Sequence, residues 1–463
     1  MTMDAGTKRR LTWGLVSNLV SKLSNSIIQF VQVPVFLAHW SKPLYGDWML
    51  VNNIPTFLAM SNIGFGSVAG NEMTMAEARG DREGALRSFQ TCWWLIVAVM
   101  IAVFSVVALV LALVPVGTLL NVHVMSEMDT RWIIAYLGVS VLVGQLETLL
   151  QAAYRSVGRY SYGSFVKSMM TLGAFAAVIV PVALGQPPRV AALVYAAANI
   201  TGTLTLMLLV RRDIPWISYG WQYATRAELK RMVLPAFAFM GFPLGNALNL
   251  QGTLQAVGYV LGENAVVDFG LARQVSRVAL QMVQMINSTF EPEFSKSFAQ
   301  NNTGLVRSLH RRACQMALLL ALGIVAAMMI GGPAFLSHWT GGKVPPSRGL
   351  LSILLLVVVV YALWSTSSTI LTATNQHKRL AGVYVGATGI TVIVTFFAAK
   401  YYGLYGAAAS LLLSEFLMNL YVLPNTLRIA HDTFPAFLRS MLDVPPALHP
   451  RTLLRRLGRQ QPE

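Results

Sequence analysis

The chain has 463 residues, of which 55% are hydrophobic and only 12% charged, against roughly 25% charged in a soluble domain. With a mean hydropathy of +0.56, that excludes most soluble readings and describes a polytopic membrane protein with no large extramembrane domain. The formal charge of +16 points to loop topology rather than to nucleic acid.

A helix needs about 20 mostly apolar residues to cross a bilayer. The apolar runs predict an all-α polytopic membrane protein of about twelve transmembrane helices, near 11–38, 44–70, 91–114, 131–152, 166–184, 190–210, 232–262, 265–290, 313–331, 348–373, 381–399 and 404–425. The start MTMDAGTKRR mimics a signal peptide. The run from Leu11 to Trp40 is too long and too polar-striped for one and lacks a small-residue cleavage site, so it reads as a retained first span. With both termini cytoplasmic, only Lys42, Arg131, Arg189, Lys343, Arg348 and Lys400 fall in outer loops. The other basic residues outside the spans lie on the inner side, as the positive-inside rule requires. The expected division is a six-helix lobe over 1–210, a cytoplasmic linker over 211–231, a second six-helix lobe over 232–430 and a basic cytoplasmic tail over 431–463. The apolar residues among arginines in that tail suit either an inner-surface helix or a partly disordered end.

The halves resemble each other at an offset of 221 residues: Asn25 falls on Asn246, Asp47-Trp48 on Asp268-Phe269, and Glu72 on Glu293. Repeats of equal topology imply two bundles about an axis along the membrane normal, with a substrate site between them.

Three cations lie inside spans: Lys22, Arg273 and Arg277. At mid-bilayer each costs roughly 2.5–3.5 kcal/mol on insertion scales, and cations kept there face a hydrated cavity suited to an anion. Asn18, Lys22, Asn25, Gln29 and Gln32 share one face of the first helix, and Arg273, Arg277, Gln281, Gln284 and Ser288 one face of the eighth. Asn246, Asn249 and Thr253 mark the seventh, which Pro235 and Pro243 can bend. Glu147 and Glu415 are intramembrane acids, read as counter-ions or coupling groups. The plainer alternative is that these polar residues bind helix to helix. The run Ser365–Thr369 could line the lumen, but hydroxyls in spanning helices usually satisfy backbone carbonyls, and it is read that way. Cys92 and Cys314 read as buried thiols without metal-ligand spacing. There is no phosphate-binding glycine loop, no Cys/His cluster and no nucleophile set on a common loop, so neither cofactor, metal nor enzymatic activity is expected.

The stretch from Leu44, LYGDWMLVNNIPTFLAMSNIGFGSVAGNEMTMAEARGD, resembles the second-helix signature of oligosaccharide flippases, the Wzx-type polysaccharide transporters of the MOP superfamily. A YGxW entry, a GF pair and an A-R-G-D cytosolic end carry the likeness. Asn62 departs from it, because members often carry Asp just before the GF pair. The resemblance implies a V-shaped, two-lobed MATE/MOP-like transporter in the cell inner membrane. It would move undecaprenyl-diphosphate-linked oligosaccharides for surface polysaccharide synthesis, with the polymerase and chain-length regulator as possible partners. On that reading Lys22, Arg273 and Arg277 bind the diphosphate, and Asn18, Asn25, Gln29, Gln32, Asn246, Asn249, Gln281 and Gln284 line the sugar path. Two rivals stand beside it. A MATE-like drug/cation antiporter would want acids in the first lobe. A membrane glycosyltransferase or polymerase would want a large external loop, and the acids there are few (Glu127 and Asp129).

Overall fold

The computed structural model describes residues 5–59, 65–231, 240–345, 347–374 and 377–442. The side chains of residues 5–19, 22, 65, 67, 292, 299 and 377 lie outside the description. All regular structure among the described residues is helical. In chain order it comprises α1 (Ala5–His39), α2 (Lys42–Leu58), α3 (Phe65–Ala78), α4 (Arg82–Leu113), the single turn α5 (Val116–Leu119), α6 (Glu127–Ser156), α7 (Tyr160–Ala183) and α8 (Pro188–Asp213). The second half has α9 (Gly241–Ala247), a π-helical segment (Leu248–Gly252), α10 (Thr253–Leu261), α11 (Glu263–Ala299), α12 (Thr303–Trp339), α13 (Arg348–Ala373), α14 (His377–Ile429) and α15 (Phe434–Leu442).

Side-chain caps set several helix starts where the sequence supplies them. Ser41, Asp81, Ser126, Asn302 and Ser347 each accept a hydrogen bond from the backbone N–H three residues on, and Pro43 sits in the first turn of α2. The helix α14 is two passes broken at Gly403, whose φ of 61° and ψ of −146° need a residue without Cβ. The described helices coincide with the predicted apolar runs, seven of them long and apolar enough to cross a membrane with α14 counted once, and several bounds differ. The eighth runs on to Ala299. The second is two helices on either side of residues outside the description. The seventh is not a regular helix but widens over Leu248–Gly252, and its expected first turns, with Pro235, lie outside the description.

Large apolar side chains stay exposed around the outside, among them Ile330 at 85%, Leu113 at 74% and Leu420 at 73%. Such a surface suits hydrocarbon, and Tyr401, Tyr402 and Trp221 are exposed near helix ends where aromatic belts form. This is a multi-pass membrane protein.

The helices α1–α8 pack mainly on one another, as do α9–α14, and α2 against α11 is the main contact between the groups. The join gathers at the helix ends remote from the linker. There one apolar cluster runs through both halves, from Val33, Phe36 and Trp40 to Val266, Phe269 and Leu336. Lys42 pairs with Asp268 at 2.6 Å, Trp339 Nε1 donates to the Phe30 carbonyl at 2.7 Å, Asn121 Nδ2 to that of Gly258 at 3.1 Å, and Lys343 Nζ to that of Leu37. Gly46 lets α2 approach the Glu263 carbonyl so closely that a Cβ would collide with it. Toward the linker end the clusters separate by half, Met73, Phe89 and Tyr154 in the first and Phe294 and Ile370 in the second. The linker lies on the first half, where Gln90 Nε2 donates to Ser218 Oγ and Arg231 pairs with Glu72 at 2.7 Å.

Positions matched at the 221-residue offset have different partners. Asp47 accepts backbone N–H bonds from Val124 and Met125 at 2.7 and 2.9 Å, whereas the equivalent Asp268 crosses to Lys42. The first part of the tail is ordered: α15 follows Asp432, which holds Arg311 at 2.5 Å, and Phe437 stacks on His310 at 5.0 Å. Residues 443–463 lie outside the description.

Candidate functional site

Arg273 and Arg277 stand one turn apart on α11, and α9, the π-helical segment, α13 and α14 close around them to leave a cavity of about 570 Å³. Asn246, Asn249, Gln281, Gln284 and Glu415 line it. The two arginines differ in what they touch. Arg273 is 8% exposed. Its Nη1 donates to Thr253 Oγ1 at 2.6 Å and to the Leu250 carbonyl at 3.3 Å. Its Nη2 donates to Asn249 Oδ1 at 2.6 Å and to the Asn249 carbonyl at 2.8 Å. The π turn opens backbone acceptors, and Arg273 answers them. Arg277 is half-buried and, among the described residues, has neither a hydrogen-bond nor an ion-pair partner, so its guanidinium is left to the cavity.

Glu415 is not paired with either arginine. Its Oε2 accepts from Trp364 Nε1 at 2.5 Å and its Oε1 from Ser414 Oγ at 3.3 Å. Two guanidinium groups against one carboxylate leave the described lining with a positive excess. Tyr361, Trp364 and Tyr384 form an aromatic wall, with centroids 5.1 and 5.8 Å apart. Gln284 Nε2 donates to Tyr361 Oη at 3.1 Å. Sequence reasoning missed this wall, because an aromatic residue in a span reads as core or lipid-facing until its neighbours are known. It also discounted Ser365 and Ser368, which line the cavity, although Ser368 Oγ does donate to the Ser365 carbonyl as expected.

Not every expected residue joins this cluster. Asn25 and Gln32 line a separate cavity of about 270 Å³ in the first half, with Trp48, Asn52, Thr171 and Tyr195. The carbonyl of Gln29 accepts from Gln274 Nε2 at 2.9 Å at the seam between the halves. The side chains of Asn18 and Lys22 lie outside the described residues, so nothing places Lys22 beside the arginines. Glu147 is neither in this cavity nor near Arg273. It accepts from Thr203 Oγ1 at 3.0 Å and pairs with Lys167 at 3.4 Å. Among the described residues, members of the two stripes line a cavity in each half. Cys92 and Cys314 are buried free thiols, as expected.

No protein-family model matches the chain. Over 408 residues it is 24% identical to the uncharacterized membrane protein EpsK of Bacillus subtilis (strain 168), across 83% of this chain and 78% of that protein. It superimposes on the inward-facing conformation of a multidrug resistance MATE family transporter of the MOP superfamily with a TM-score of 0.73 and 12% identity, covering 89% of this chain and 95% of that one. Against the outward-facing conformation of a MATE family transporter the TM-score is 0.61 at 14% identity, over 93% and 97% of the two chains. The chain has the all-α polytopic fold of the MATE transporters of the MOP superfamily.

Proposed function

We propose that the protein is a flippase of the inner membrane, moving undecaprenyl-diphosphate-linked oligosaccharides from the cytoplasmic to the outer leaflet for surface polysaccharide synthesis (O-antigen, exopolysaccharide or capsule). One observation carries the reading: among the described residues the guanidinium of Arg277 has no partner, in a cavity whose described lining is net positive. A cation held away from water is costly unless an anion repays it, and a diphosphate offers oxygens that a guanidinium binds by charge-assisted, bidentate hydrogen bonds. Amides and the aromatic wall suit the adjoining sugar, and the isoprenyl tail remains in the bilayer. The protein is a carrier and not an enzyme, and no ATP is hydrolysed.

The mechanism is alternating access between two lobes, 1–210 and 232–430, with both termini and the linker in the cytoplasm. The seam of apolar and ionic contacts at the end remote from the linker, and the higher TM-score against the inward-facing MATE structure, support an inward-open state that accepts substrate from the cytoplasmic side. Rocking would part Lys42 from Asp268 and release the head group outside. Lys22 remains a third cation in the proposal. The rival antiporter reading draws on the same fold and on Glu415, but a drug cation would meet a cavity already positive.

The test is substitution in cells lacking the native gene. Arg277→Ala should insert at the normal level yet fail to restore surface polysaccharide, and full restoration would remove the anion site.

A further inference from the structure

The cavity in the first half is the repeat counterpart of the cationic one. Asn25, Ile28, Asn52 and Leu137 line the first; 221 residues on, Asn246, Asn249, Arg273 and Val358 line the second. The register holds across three helices of each half, so the two hollows occupy equivalent places in the two bundles. Their described linings differ in charge. Arg273 falls on Asn52 and Arg277 on Thr56, and among the described residues no charged side chain lines the first cavity.

The described lining combines amides, hydroxyls and aromatic rings with the aliphatic Ile28, Leu137 and Val178. Asn25, Gln32 and Asn52 can each donate and accept, as can the hydroxyls of Thr171 and Tyr195. Trp48 also lines the cavity and is 5% exposed, and its Nε1 is buried without an acceptor, a state that native interiors rarely leave unmet. Rings that stack and amides that bond in both directions are the chemistry that recognises an uncharged, polyhydroxylated ring.

The two cavities also flank one contact. Gln29, between Asn25 and Gln32 on α1, takes its hydrogen bond from Gln274, the neighbour of Arg273 on α11. A ligand reaching across that seam would touch both.

We propose that the first-half cavity is a second ligand site that takes an uncharged sugar ring of the same substrate whose diphosphate sits at Arg277. The inference rests on the flippase reading and adds to it: each repeat holds one chemical part of the cargo, so the protein measures glycosylation separately from charge.

The test compares two probes on purified protein in nanodiscs: undecaprenyl diphosphate bare, and the same lipid carrying its oligosaccharide, extracted from cells that express the protein. Asn52→Leu and Trp48→Phe should each weaken the glycosylated probe about tenfold, the scale of a lost buried hydrogen bond, and leave the bare probe unchanged. Trp48→Phe keeps a ring in place and guards against misfolding. Arg277→Gln should weaken both probes. If both probes bind the wild type, and the Asn52 and Trp48 variants bind the glycosylated lipid as the wild type does or lose both probes alike, the second site is refuted while the flippase reading stands. If the wild type binds neither probe, the flippase reading fails and this inference with it.

Discussion

Arg273 and Arg277 look alike in sequence, and their neighbours say that replacing them has opposite effects. Arg273 makes four hydrogen bonds to Asn249, Leu250 and Thr253. Arg273→Gln removes most of those donors and leaves the Asn249 and Leu250 carbonyls of the π turn unsatisfied, at a cost of about 1–3 kcal/mol per stranded group. Replacing Arg277 strands no group among the described residues. Its loss is felt by the ligand: hydrogen bonds to charged groups contribute roughly 1.5–3 kcal/mol each, so a bidentate contact to a diphosphate is worth on the order of 3 kcal/mol or more, about 150-fold in affinity. Purified variants in nanodiscs, assayed for binding of radiolabelled undecaprenyl diphosphate and for melting temperature, separate the two. Arg277→Gln should melt with the wild type and bind at least a hundredfold more weakly. Arg273→Gln should melt several degrees lower. Unchanged binding by Arg277→Gln refutes the reasoning, and so does an unchanged melting temperature for Arg273→Gln.

Three further outcomes follow from contacts away from the cavity. Lys42→Asp should loosen the end remote from the linker, and Lys42→Asp combined with Asp268→Lys should restore it, read as spin-label distances across that end; no recovery in the double variant would mean the ion pair is incidental. Gly46→Ala places a methyl group against the Glu263 carbonyl and should push the same distances outward, while unchanged distances would show that the seam can absorb it. Burial raises the Asp432 carboxyl, but the Arg311 guanidinium and the Thr433 N–H outweigh it and hold the group below the ordinary carboxylate range. The docking of α15 is therefore at full strength above about pH 4, the unfolded value for Asp, and is lost as pH falls through the lower folded value. Asp432→Ala should speed amide exchange across Phe434–Leu442 at neutral pH, and equal rates would remove the strap.

The passes were legible in the sequence because apolar length is a local property. So was the polar face of α11, since spacing alone puts Arg273, Arg277, Gln281 and Gln284 together. What periodicity could not supply is tertiary. Whether an arginine is spent on the protein or left to a ligand depends on a π turn in another helix. Asp47 and Asp268 are equivalent in the repeat, yet one binds a loop and the other the opposite half. Tyr361, Trp364 and Tyr384 come from two successive helices, and only their packing puts the three rings in one wall. Nor could composition tell that the described members of the two stripes line different cavities.

The central claim is that the cavity carries an anionic lipid head group across the bilayer. Its most direct measurement is translocation in proteoliposomes: a fluorescent oligosaccharide-diphosphate lipid placed in one leaflet, with its arrival in the other followed by an impermeant quencher. Wild-type protein should accelerate the exchange and Arg277→Ala should leave it at the rate of protein-free vesicles. Acceleration by Arg277→Ala equal to the wild type, or ion-driven uptake of a cationic drug with no movement of the lipid, would contradict the account.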